Sequence, residues 1–138
     1  MYKKILVPMA LDHDISQHTL KVAQALGGGT CEIIALHVYE TPQGSASAYL
    51  DKSVVNEGYA KARRLLEEKL EGAEGISPEI VKGHTARTII DYANSSGIDC
   101  IVIGSHKPGL SDYFLGSTAA RVVRHAHCAV HVHRNSQP

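Results

Sequence analysis

Residues 100–118 read Cys100-Ile-Val-Ile-Gly104-Ser105-His106-Lys107-Pro108-Gly109-Leu-Ser-Asp-Tyr-Phe-Leu115-Gly116-Ser117-Thr118. A short β-branched run ends on Gly104, and a polar, glycine-bearing stretch follows it. After Gly116-Ser117, the residues Ala119, Ala120, Val122, Val123 and Ala126 recur at helical spacing. The pattern is a buried strand, a loop and an amphipathic helix. Working outward, the same alternation repeats. Further apolar runs lie at Ile5–Val7, Ile33–Val38, Ile80-Val81 and Ala129–Val132. Helical stripes lie between them. The first runs through Ile15, Thr19, Val22, Ala23 and Leu26, with Asp14 and Gln17 as a capping box. The second runs from Val55 to Leu70. The third holds Ala86, Ile89, Ile90 and Ala93, with Thr85 as its N-cap. Glycines 27–29, 72 and 97 close these three stripes.

The order β-α-β-α-β-α-β-α-β predicts an α/β protein. Its five-stranded parallel sheet, of order 3-2-1-4-5, carries helices on both faces in a Rossmann-like arrangement with right-handed crossovers. With 138 residues and no linker or internal repeat, the chain reads as one domain spanning 1–138. The stretch from Glu40 to Ser53 is polar and longer than most α/β loops, as binding loops and lids are.

Charge and composition remove several function classes. Fourteen Lys and Arg balance fourteen Asp and Glu, which argues against a nucleic-acid binder acting through bulk charge. Trp is absent, and no apolar run approaches the ~18 residues of a membrane span, so neither nucleic acid nor membrane insertion is expected. Cys31, Cys100 and Cys128 are odd in number and sit in apolar surroundings, as reduced thiols of a cytoplasmic protein do. Nine histidines raise a metal reading, densest at His125, His127, His131 and His133. No further pair completes a ligand set, and a histidine at a helix end meets the helix dipole without a metal. No metal site is expected. Ser105 and His106 are adjacent and no nucleophile elbow surrounds them, so no catalytic residue is assigned.

In a doubly wound sheet of this order, the crevice between the carboxyl ends of strands 1 and 4 is the default ligand site. Pro8, Met9, Ala10 and Asp12 follow strand 1, while Gly104, Ser105, His106, Lys107 and Gly109 follow strand 4. Gly104 admits a ligand close to the backbone, and the N–H groups of Gly116, Ser117 and Thr118 open a helix toward an anion. Arg87 and Arg121 lie near the starts of helices three and four; Arg121 is the better phosphate candidate of the two, and a surface role suits either at least as well. Asp12 and Asp14 could meet Mg²⁺ through a nucleotide's phosphates, although Asp14 also suits capping.

These residues resemble the universal stress protein family. The resemblance rests on Lys3-Lys4-Ile5-Leu6-Val7-Pro8, on Ile101–His106 with Leu115–Ala119, and on the closing stretch Val122–Val132. It implies ATP binding, with Mg²⁺ as a companion ion. It also implies a homodimer paired through the last strand, Ala129 to His133, and a sensor or adaptor role with slow or no hydrolysis. Nucleotide-binding members carry G-x2-G-x9-G-[ST] and use the end of strand 2, here Val38, against adenine. This chain departs from the pattern twice. Lys107 stands in place of the second glycine, with eight residues before Gly116, and Ala10 stands where an Asp is usual. Lys107 can still reach a phosphate and Gly109 can restore the turn, so the motif is read as a variant. The same departures are the supporting features of an alternative, a stress protein of the same fold acting through protein partners without nucleotide. A third reading, a nucleotide α-phosphate transferase of this superfold, lacks its strand-1 Ser-Gly-Gly signature. The strand histidines would make a paired edge sensitive to pH.

Overall fold

The computed structural model describes residues 1–11, 16–40, 52–105 and 115–134. In chain order these form β1 (Lys4–Pro8), α1 (Ser16–Gly27), β2 (Glu32–Tyr39), α2 (Lys52–Lys69), β3 (Ile76–Lys82), α3 (Thr85–Ser95), β4 (Cys100–Gly104), α4 (Ser117–His125) and β5 (Ala129–His133). All neighbouring strands are parallel, in the order β3-β2-β1-β4-β5. The expected fold is therefore the observed one.

Strand side chains alternate between two cores, as a period of two dictates. Ile5, Val7, Ile33, Ala35, Cys100 and Val102 pack on one face against Leu20 and Ala23 of α1 and Leu66 of α2. Leu6, Ile34, Leu36, Val38, Ile101 and Ile103 pack on the other against Ile89 and Ala93 of α3 and Ala119 and Val122 of α4. Because β1 and β4 are covered on both faces, they read as unbroken apolar runs. Burying each Leu or Ile side chain contributes about 1.5–3 kcal/mol. Gly28 and Gly97, which follow α1 and α3, have φ of 71° and 69° and turn the chain through the left-handed region, where other residues are strained.

Several boundaries move from the sequence reading. β3 begins at Ile76, ahead of the Ile80-Val81 run, because it is an edge strand whose Ser77 and Glu79 face solvent. Pro78 is tolerated there because an edge strand leaves N–H positions unpaired. Lys52 and Ser53 belong to α2 and not to the preceding loop, whose residues 41–51 lie outside the described residues. The N-cap of α3 is His84, with no side-chain cap bond, and Thr85 is the first helical residue. Likewise α4 starts at Ser117 with Gly116 as N-cap. Asp14 lies outside the described residues, and Gln17 Nε2 donates to the Lys69 carbonyl at 2.8 Å, joining α1 to the end of α2.

Candidate functional site

The two ladders of β1 stop at its carboxyl end for separate reasons. Toward β4 only Ile5 with Cys100 and Leu6 with Ile101 are in register. The next rung needs an N–H from Pro8, which has none. Toward β2 the register runs from Lys4 opposite Glu32 to Pro8 opposite Leu36, and the Met9 N–H still reaches the Leu36 carbonyl at 2.8 Å. There the ladder ends, with the Met9 carbonyl accepting from His37 Nδ1 at 2.9 Å. A carbonyl only accepts, so Nδ1 carries the proton. The sheet thus opens above β1, at the switch point of a doubly wound fold.

A cavity of about 350 Å³ lies at this end of the molecule, on the α3/α4 face. Glu40, just past β2, forms one wall. His84, Thr85, Ala86 and Arg87 at the start of α3 form another, and Ser117, Thr118 and Arg121 of α4 the third. Glu40 Oε1 accepts from the Thr85 backbone N–H at 3.1 Å and from its Oγ1 at 2.6 Å. The Thr85 hydroxyl first, and its N–H second, hold the Glu40 carboxyl below its ordinary pKa, outweighing the opposing effect of burial. The negative charge of Glu40 is thereby matched to the helix terminus. Arg87 lies 3.8 Å from Asp91, with both side chains exposed. Among the described residues Arg121 has no acidic partner within ion-pair distance, so it adds an uncompensated positive charge to the wall.

Of the residues expected from sequence, Ser117 and Thr118 line this cavity. Pro8 is half-buried at the end of β1, Met9 is buried in the α1/α2-side core, and Ala10 is exposed. Val38 is buried in the opposite core, two residues before Glu40. Gly104 ends β4, half-buried. Ser105 is buried and holds three elements together. Its N–H donates to the His133 carbonyl at 2.9 Å, and its carbonyl accepts from the Gly116 N–H at 2.6 Å. The expectation of an open N–H at Gly116 is corrected by that bond; Ser117 and Thr118 supply the first-turn donors. Asp12, His106, Lys107 and Gly109 lie outside the described residues.

Glu40, His84 and His37 were not singled out from sequence, and Thr85 was read only as an N-cap. The one available signal was position, since Glu40 directly follows the apolar run that ends at Val38 and Tyr39. Among the described residues no cluster of three His, Cys, Asp or Glu is placed to hold a metal ion. His133 packs instead against His18, ring centroids 6.4 Å apart and planes at 23°. No described helix is long and apolar enough to cross a membrane.

The sheet order and paired helix layers define a doubly wound α/β protein of Rossmann-like type. The chain belongs to the universal stress protein family, whose model matches residues 1–134. It is 32% identical over 148 residues to a universal stress protein of Methanothermobacter thermautotrophicus, an alignment covering 97% of each chain. The structure of universal stress protein UspA from Lactobacillus plantarum superposes with a TM-score of 0.77 at 27% identity, covering 95% of this chain and 97% of that one. Three more distant structures share the fold. One is a universal stress protein in complex with cAMP, with 23% identity, TM-score 0.72 and coverage of 98% and 99%. A second is an Arabidopsis thaliana family protein with AMP bound, at 19%, 0.67, and 97% and 92%. The third is the Archaeoglobus fulgidus protein in complex with dAMP, at 17%, 0.63, and 95% and 97%.

Proposed function

We propose that this chain, acting as one domain, binds an adenine nucleotide, ATP with Mg²⁺, in the opening above β1. In this reading it serves as a sensor or adaptor in the stress response of the cytoplasm, and any hydrolysis is slow. The observation that carries the reading is the cavity on the α3/α4 face. Its walls bring Ser117, Thr118 and Arg121 within one helical turn of each other, beside the buried end of β2 at Val38. Hydroxyls, first-turn N–H groups and a guanidinium suit phosphate oxygens, while Val38, two residues before Glu40, would offer apolar contact to a base. Family relatives that hold cAMP, AMP and dAMP support the choice of adenine. Pro8, Met9, Ala10 and Val38 would flank the base and ribose. Gly104, Ser105, Gly116, Ser117 and Thr118 would flank the phosphates, with Asp12, His106, Lys107 and Gly109 contributed by the adjoining loops.

The proposal includes a homodimer paired through β5. Ser105 N–H bonding to the His133 carbonyl fixes the strand's orientation, so the N–H groups of Val130 and Val132 point away from β4 along an open edge.

The test is to denature freshly purified protein, identify any released nucleotide by chromatography, and titrate the emptied protein with ATP with and without Mg²⁺. Released ATP or ADP, or saturable binding, upholds the reading. No released nucleotide, and no binding at millimolar Mg-ATP, favours the partner-binding alternative that Ala10 and Lys107 suggest.

A further inference from the structure

The arrest of the β1–β2 ladder has a chemical consequence at Val38. In this register the next rung pairs Met9 with His37, and it consists of two bonds. The first, Met9 N–H to the Leu36 carbonyl, is made at 2.8 Å. The second runs from the Val38 N–H to the Met9 carbonyl, and the registered pairs stop short of it, at Pro8 opposite Leu36. The acceptor that Val38 would use is held by the His37 ring at 2.9 Å. His37 sits between Leu36 and Val38, which both face the α3/α4 core, so its ring lies on the opposite face and reaches the Met9 carbonyl from there.

We propose that His37 is a positioning residue: by taking the Met9 carbonyl it stops β1 from zipping onto β2 and reserves the Val38 N–H for an acceptor atom on a bound ligand, such as a ring nitrogen of a nucleobase. The identity of the ligand rests on the nucleotide reading above; the reservation of the amide does not. A leucine at residue 37 removes the competing donor. The Met9 carbonyl then returns to Val38, and the ladder lengthens by one rung. An asparagine places its amide nitrogen about where Nδ1 lies and restores the donor, whereas glutamine places it nearer Nε2 and does not.

Two readouts on the full chain separate the possibilities. In ligand-free protein, amide hydrogen exchange at Val38 should slow by about tenfold or more in His37→Leu and stay near the wild-type rate in His37→Asn. In calorimetric titration with ATP, His37→Leu should weaken binding about tenfold, the scale of one hydrogen bond, while His37→Asn stays within about threefold of wild type. Unchanged Val38 exchange in His37→Leu overturns the proposal, as does equal loss of affinity in the leucine and asparagine variants. If the wild-type chain binds no nucleotide, the exchange result alone decides, upholding the reserved amide while the nucleotide reading falls.

Discussion

Glu40 and Thr85, 45 residues apart in sequence, are joined through one carboxylate oxygen that accepts both the backbone N–H and the hydroxyl of the threonine. This contact ties the end of β2 to the start of α3 across the mouth of the cavity. It also supplies what the α3 N-cap lacks, since His84 makes no side-chain cap bond.

Removing that contact should loosen α3. Glu40→Ala is expected to lower stability by on the order of 1 kcal/mol, a modest figure because the pair is solvent-exposed. Thr85→Ser should be nearly neutral, since serine keeps both donors. The pH dependence has a definite sign. The folded-state pKa of Glu40 lies below its ordinary 4.5, so its contribution is fully present above that value. It is lost as the pH falls through the lowered folded value. Thermal unfolding of wild type and Glu40→Ala should therefore differ by a constant amount at neutral pH and converge in acid. A gap that widens in acid would contradict this.

The three thiols should be poor nucleophiles in the native state. Burial, first of all, pushes each of them up; the neighbouring Cys128 then adds to Cys100, and the charge of Asp99 adds to Cys31 and Cys128. Cys100 is fully buried. Labelling with a disulfide reagent at pH 8 should modify Cys31 and Cys128 more slowly than a free thiol and leave Cys100 untouched until denaturant is added. Rapid modification of all three in native protein would be inconsistent with this packing.

Ile101 sits in the middle of β4, between β1 and β5, with no exposed surface. Ile101→Ala should cost about 2–5 kcal/mol, through lost transfer energy and the space left against α3 and α4. Val54→Ala, at a 53% exposed position of α2, should change stability by less than about 0.5 kcal/mol. Denaturant titration of the two variants checks the contrast.

The open edge of β5 gives a test of the dimer. Val132→Pro removes an N–H that points away from β4 and leaves the β4–β5 bonds in place. Sedimentation should show a dimer for wild type and a monomer for this variant, with the far-ultraviolet spectrum retained. A wild-type monomer at micromolar concentration would end the proposal.

Most of the architecture was legible because it rests on local periodicity. The apolar runs of β1, β2 and β4 and the stripes of all four helices carry their own signal in consecutive residues. β3 was cut short in the reading because an edge strand alternates polar residues such as Ser77 and Glu79, which look like loop. The site was legible where it repeats a strand–loop–helix pattern, as at Ser117 and Thr118. It was not legible at Glu40, Thr85 and His37. Their roles depend on partners 45 and 28 residues away, and spacing in one sequence carries no record of such pairings.

The early end of the β1–β4 ladder sets how this architecture tolerates change. On the β4 side the opening exists because a proline stops one row of backbone bonds, so that edge is set in the main chain and not by the side chains that line the cavity. Substitutions just beyond the strand, such as at the exposed Ala10, change side chains and leave that edge in place. In this chain, what is recognised can change with such side chains while the break between β1 and β4 stays, provided that residue 8 stays proline.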